Sequence, residues 1–224
     1  MKPTHVEMEM KLIARDGAAL RALLPALRDL CDRLRDGGTV RIVDTYYDTA
    51  RWDLRAAGYA CRLRRTGRKA ILCMKSLKRP RRGVSIREEF EQRIPAPLPR
   101  QPLCNPPGRV GRKIAEIIGE APLREIFRIR NNRRVFHARF NGLSAIVCAD
   151  RFTVLARGRA RAFAEVELEL VAGTARDLRK FGHELMQRVP LRCGGRSKYR
   201  LGLRAGRHPV TLAERERREQ MTEN

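Results

Sequence analysis

Aromatic residues are scarce in this sequence: one Trp, four Tyr and seven Phe among 224 residues. Platforms for stacking unpaired bases are correspondingly few, which counts against a single-strand nucleic-acid binder built on aromatic stacking. No run of eighteen apolar residues occurs, and the opening MKPTHVEMEMKL soon alternates in charge, so neither a spanning helix nor a secretory signal is read. The expected location is the cytoplasm, with no membrane partner. Six cysteines (Cys31, Cys61, Cys73, Cys104, Cys148, Cys193) lie far apart without a CxxC pair or a His cluster. That spacing indicates neither a zinc site nor a disulfide framework, and leaves them as reduced, mostly small core residues. A Walker loop, a kinase glycine-rich loop, HExxH and GxSxG are all missing, which removes the nucleotide, zinc-protease and serine-hydrolase signatures. Acidic charge is short too: 25 Asp and Glu stand against 49 Lys and Arg, a formal +24. Such an imbalance implies a polyanionic partner, whether nucleic acid, anionic membrane or a phosphorylated small molecule, and charge alone does not choose among them.

What the chain does have is an ordinary apolar content of 42%, enough for a core, so a wholly disordered basic protein is excluded. Residues 1–204 are read as one domain and 205–224, ending ERERREQMTEN, as a charged tail. Residues 5–12 alternate strictly, with Glu7, Glu9 and Lys11 on one side and Val6, Met8, Met10 and Leu12 on the other, which is strand periodicity. Leu20, Leu23, Leu24, Leu27, Leu30 and Leu34 follow helical spacing and predict a helix over 17–34, stopped by Gly37-Gly38. Short strands are expected near 40–48, 58–65, 69–77 and 84–94, divided by turns at Gly58, Gly67 and the stretch from Pro80 to Gly83. Residues 95–107 hold six of the twelve prolines and are expected to be an extended loop. A helix at 109–118 follows, then strands near 124–140, 143–149, 152–156 and 161–171. A closing helix at 175–188 is capped by Thr174 and Asp177.

The charges on these strands are arranged in rows. Glu165, Glu167 and Glu169 interleave with Val166, Leu168 and Leu170, mirroring Glu7 and Glu9, so five carboxylates lie on two strand faces. Arg62 and Arg64 flank Leu63, Lys75 follows Met74, and Arg87 shares a face with Glu89 and Glu91. A half-solvated sheet also alternates, but rows of acids on some strands and of bases on others fit polar faces looking into a closed barrel with a hydrated interior. The apolar faces then point outward, under helices. The expected class is α+β: an antiparallel β-barrel with helices packed outside. Clustered carboxylates repel unless a cation sits among them, which points to Mg²⁺ or Mn²⁺ held by oxygen ligands, with Arg and Lys facing phosphates. Metal plus basic groups is the equipment of phosphoryl transfer.

These residues resemble the CYTH superfamily, also called the triphosphate tunnel metalloenzymes. The signature ExExK stands as Glu7-Met8-Glu9-Met10-Lys11, followed in order by YYDT at 46–49, RLR at 62–64, MK at 74–75, REEFE at 87–91, Asp150, EVELEL at 165–170 and SK at 197–198. The resemblance implies an eight-stranded tunnel open at both ends, with divalent metal and a triphosphate inside. It makes Glu7, Glu9, Glu167 and Glu169 metal ligands, directly or through water, with Glu165, Glu89 and Asp150 as further candidates. Lys11, Arg62, Arg64, Lys75, Arg87, Arg133 and Lys198 would cradle the phosphates, Arg133 being one of several registers offered by RIRNNRR at 128–134. Glu7, Glu9 and Lys11 are the expected catalytic group. Family members cleave inorganic triphosphate, hydrolyse thiamine triphosphate, cyclise ATP or remove an RNA 5′ phosphate. The expected activity is a metal-dependent triphosphatase acting on inorganic triphosphate or a related triphosphate or polyphosphate, since no base or thiazole pocket is identifiable. The alternatives are an adenylyl cyclase of the same fold and a polyphosphate- or RNA-binding module without turnover, nucleic acid being the less favoured partner. Oligomeric state is left open. The tract Lys78, Arg79, Arg81 and Arg82 around Pro80 is expected in a solvated turn that guides polyanions to a tunnel mouth.

Overall fold

Alternation governs the sheet. In the computed structural model, which describes residues 2–78, 80, 83–95, 106 and 108–206, the strands are β1 (His5–Ala14), β2 (Arg33–Asp48), β3 (Tyr59–Thr66), β4 (Lys69–Ser76), β5 (Val84–Ile94), β6 (Arg124–Phe140), β7 (Leu143–Ala156), β8 (Arg159–Ala172) and β9 (Leu191–Cys193). They join in the order β5-β4-β3-β2-β6-β7-β8-β1-β9, and β1 pairs again with β5, so the first eight close into an antiparallel barrel. β5 takes one edge of β1 as far as Met10, and β9 continues along that edge at residues 12–14.

Directly opposed residues in antiparallel strands share a face, so the register sorts the side chains. Glu7, Lys11, Arg62, Arg64, Lys75, Arg87, Arg133, Asp150 and Glu167 fall on one side, and Met10, Leu12, Leu63, Leu72, Phe136, Val147 and Leu168 on the other. The polar side is the lumen. The apolar side is the core, sealed from outside by helices. α1 (Gly17–Leu30) and α4 (Ala175–Arg188) bury Leu23, Leu27, Leu178, Phe181 and Leu185 against Met10, Leu12, Phe136, Val147, Val166 and Leu168. α2 (Asp53–Ala56) and α3 (Gly108–Ile118) bury Leu54, Val110 and Ile114 against Leu63, Leu72, Met74 and Phe90. Fully burying one such side chain stabilises by roughly 1.5–3 kcal/mol, so the outward-facing apolar rows bring the helices with them.

Several boundaries differ from the pattern expected. α1 starts at an Asp16 side chain that accepts from Ala19 N at 3.0 Å, but it ends at Leu30 rather than 34. Leu34 has helical spacing from Leu30, yet it serves the same apolar cluster from β2, where it pairs with Ala138. Gly37-Gly38 therefore does not stop a helix. It forms a bulge inside β2, with Gly38 at φ +80°. The two strands expected at 143–149 and 152–156 are one continuous β7. The 175–188 helix has the capping box expected, Thr174 and Asp177 each bonding the other's backbone N–H. α2, β9 and α5 (Lys198–Ala205) were not legible in advance. The proline-rich 95–107 segment, Cys104 and the tail beyond Gly206 fall largely or wholly outside the described residues. The other five cysteines are free thiols. No described helix is long and apolar enough to cross a membrane.

Candidate active site in the barrel lumen

One cavity is lined by Glu7, Glu9, Lys11, Arg62, Arg64, Lys75, Arg87, Arg133, Glu167 and Lys198, together with Tyr46, Ser197 and Tyr199. Ten of the fourteen site residues named from sequence thus share one chamber. The other four, Glu89, Asp150, Glu165 and Glu169, are on the lumen-facing rows of β5, β7 and β8 beside it. They form two groups of charge.

The first lies where β1, β8, β7 and β6 meet. Asp150 is fully buried and accepts from Arg133 at 2.7 and 2.6 Å and from Lys198 Nζ at 2.7 Å. Lys198 also donates to Glu165 and Glu167, Lys11 to Glu167, and Arg133 to Glu167. Burial by itself would lower the Lys11 and Lys198 ammonium groups, but the carboxylates around them hold both above the usual lysine range. Burial would likewise raise Glu167, yet Lys11, Lys198 and Arg133 keep it well below the ordinary carboxylate value. RIRNNRR offered several registers. The side chain turned inward and clamped is Arg133, because Arg133 opposes Asp150 across β6 and β7.

The second group lies along β1, β5, β4 and β3. Lys75 donates to Glu7, Arg87 pairs with Glu9, Arg62 donates to Glu89 at 3.1 Å, and Arg64 meets Asp44 with two bonds at 2.8 and 2.9 Å. Cys73 Sγ also donates to Glu89 at 2.9 Å, and His5 Nε2 is 3.0 Å from the same carboxylate. Burial opposes ionisation of Asp44 and Glu89, but Arg64 and Arg62 beside Asp44, and Arg62 and Lys75 beside Glu89, hold each at about 2. Asp44 was missed in the sequence. It shares its strand face with Tyr46, but its role depends on the pairing of Asp44 with Arg64, which no local pattern encodes.

One carboxylate, Glu169, stands apart from this compensation. Glu9 Oε1, by contrast, is ion-paired with Arg87 and lies 3.6 Å from Lys11 Nζ. Glu169 opposes Glu9 across β1 and β8, and its carboxyl is raised by burial and then by the neighbouring Glu7 and Glu167 charges. A carboxylate destabilised by neighbouring carboxylates, with Glu7 and Glu9 alongside as further oxygen donors, fits an all-oxygen cation site. Asp150, Glu165 and Glu167 also bring carboxylate oxygens within 4.8 Å of one another, but lysines and an arginine already occupy that space.

The lumen is not open along its whole length. Beyond Tyr46 its positions turn apolar (Phe127, Ile129, Phe152, Val154), and α5 packs Tyr199 and Leu203 onto them. Tyr46 stacks on Phe127 with ring centroids 4.5 Å apart. Gly202 makes the seat possible, since a Cβ there would come within 2.1 Å of the Phe127 ring. The N-cap of the same helix, where Ser197 Oγ accepts from Arg200 N, sets Lys198 at the cavity wall. An apolar plug thus replaces the second mouth implied by the resemblance.

A closed antiparallel barrel whose interior is a charged chamber, with Glu-x-Glu rows on two adjacent strands, defines a tunnel-type β-barrel. The chain belongs to the CYTH domain family, whose model matches residues 5–198. Its structure is similar to HpAC1 from Hippeastrum, a nominal adenylyl cyclase described as having a dominant triphosphatase activity, with 25% identity, a TM-score of 0.70, and 93% of this chain and 99% of that one covered. A nominal adenylate cyclase from Bacillus halodurans shares the fold at 16% identity and a TM-score of 0.64, covering 87% and 96%. The PH1819 protein of Pyrococcus horikoshii OT3 does so at 16% and 0.54, covering 90% and 99%. No curated protein matches the chain in sequence.

Proposed function

We propose that the chain is a metal-dependent triphosphatase that hydrolyses inorganic triphosphate, or a related triphosphate or polyphosphate, to release phosphate. The observation that carries this reading is the chamber lined by seven cationic side chains together with Glu7, Glu9 and Glu167, with Glu165 and Glu169 beside it. Lys11, Arg62, Arg64, Lys75, Arg87, Arg133 and Lys198 bind and orient the phosphates. The oxygen-only donors Glu7, Glu9 and Glu169, with Glu167 beside them, suit Mg²⁺ or Mn²⁺ better than a thiophilic metal. When bound, the metal neutralises phosphate charge and polarises the terminal phosphoryl group. Glu7 and Glu9 hold the attacking water in line with that group, and the plug formed by α5 keeps bulk water from the far end. Among the matched motifs no base-reading group is recognisable, which favours hydrolysis over cyclisation of ATP.

The test is to incubate the protein with triphosphate, ATP, thiamine triphosphate and short polyphosphate, each with Mg²⁺ or Mn²⁺, and to identify every product. Triphosphate should yield phosphate and diphosphate. Glu9→Gln should abolish turnover while leaving triphosphate affinity within about tenfold, ~1.4 kcal/mol, if the lost interaction acts chiefly in the transition state. Cyclic AMP formed from ATP faster than triphosphate is cleaved would replace this reading with the cyclase, and binding without turnover of any substrate would replace it with a non-catalytic module.

A further inference from the structure

The chain's positive charge is not in its chamber. The lumen holds seven basic groups, against which stand eight acidic ones: Glu7, Glu9, Asp44, Glu89, Asp150, Glu165, Glu167 and Glu169. That set sums to −1, so the other residues carry a net +25 against the chain's +24.

Part of that excess is gathered on the barrel's outer face where no described helix packs. α1 and α4 seal the outer face at Phe136, Ala138, Ala145 and Val147, and α2 and α3 seal β3, β4 and β5. Between them, among the described residues, no helix packs on the middle of the outer face of β2, β6 and β7, the start of α1 touching only Arg151 at its margin. Two successive cross-strand rows lie there. One runs Arg65, Val43, Arg130, Thr153, and the next runs Arg41, Asn132, Arg151. All four arginines are exposed. Among the described residues no carboxylate pairs with them, Arg151 touching only the Gly17 carbonyl at 3.4 Å. The flanking acids, Glu125 and Asp36, are taken up by Arg128 and Arg134 at 2.7 Å each.

We propose that this arginine face is a docking surface for double-helical nucleic acid, held through its phosphates. Within each row the two arginines are two strand spacings apart, about 10 Å, and the rows are about 7 Å apart. That places charge on both sides of a gap comparable with a major groove about 12 Å wide. Guanidinium groups bind phosphate oxygens bidentately. The rows contain no aromatic residue, so they offer nothing for unpaired bases to stack on. The exposed large hydrophobics, Val6, Ile86 and Val171, lie on β1, β5 and β8, so the face has no apolar anchor for a lipid surface. The contact is sequence-independent and separate from the chamber.

The probe is a short mixed-sequence DNA duplex, followed by fluorescence anisotropy as salt is varied. Four phosphate contacts predict a slope of log K against log salt of about −3.6, a loss of about 10²-fold between about 50 and 200 mM. Replacing Arg41, Arg65, Arg130 and Arg151 together with Ser should remove most of that slope and leave triphosphate turnover unchanged. Removing the same charge elsewhere, at Arg68, Arg159, Arg161 and Arg176, should leave the slope nearly intact. Equal losses in the two variants would show diffuse attraction by net charge and overturn the proposal. So would retained duplex binding in the first variant, or a preference of the native face for anionic lipid vesicles or long-chain polyphosphate over the duplex.

Discussion

Asp150 is the residue whose role the structure redefines most, and Asp150→Asn tests it. The carboxylate is wholly buried and is the shared acceptor of Arg133 and Lys198, two cations that are themselves almost out of solvent. Removing its charge leaves them facing Glu165 and Glu167 with one anion fewer. Breaking a buried pair by removing one partner costs about 3–5 kcal/mol. Asn keeps one acceptor oxygen, which puts this case near 3 kcal/mol. At about 2–4 °C per kcal/mol for a domain of this size, Tm should fall by about 6–12 °C. The measurement is thermal unfolding in EDTA, so that no divalent ion contributes. Because the two residues form one unit, Asp150→Asn combined with Lys198→Met should cost less than the sum of the single changes by at least about 1 kcal/mol. A Tm within about 2 °C of wild type in EDTA, with a deficit appearing only when Mg²⁺ or Mn²⁺ is supplied, would refute this and make Asp150 a metal ligand instead of the anchor of the cationic wall.

Acid should unfold the barrel through two further carboxylates. Asp44 and Glu89 are held at about 2 in the fold, below their unfolded values, so their stabilisation is complete above about pH 4.5 and is lost as pH falls toward 2, roughly 2–3 kcal/mol each. Arg64→Met should remove most of the Asp44 share and flatten that part of a stability-against-pH curve; an unchanged curve would sink the assignment. Gly202→Ala pushes a methyl group into the Phe127 ring and should cost about 1–3 kcal/mol. Because Lys198 opens the same helix, turnover should fall along with Tm. A variant of native stability and activity would mean that the plug is not seated by that contact.

The sequence carried the lumen because strand alternation is a two-residue rule, readable without knowing any partner. Glu7, Glu9, Lys11, Arg62 and Arg64 could be placed on one face from their own strands. What stayed hidden were the consequences of pairing. Asp44 looked like one more polar residue until β2 was laid beside β3, and Leu34 looked helical because leucines four apart suit a helix and also suit an outward strand position under one. α5 is eight residues long with two charged turns, too short to have its own periodicity. Its apolar face exists only in relation to Tyr46, Phe127 and Phe152. The conversion of a two-mouthed tunnel into a plugged one was therefore beyond any local signal.

The way β1 is held has a consequence for how the protein is made. This strand leaves the ribosome before the other eight, yet its register partners are Glu89 on one side and Glu167 on the other, and the bond from Lys11 to Glu167 spans 156 residues of chain. During synthesis β1 can dock on β5 early, but its second edge stays open until β8 has emerged. Lys198, which neutralises the buried Asp150, arrives later still. Each nascent chain therefore passes through a stage in which nearly the whole barrel wall exists while its inner carboxylates lack one of their cations. Non-local closure of this kind is slow, and an unpaired strand edge invites another chain to fill it. The interval between the emergence of β8 and the seating of α5 is when this fold is most exposed to misassembly.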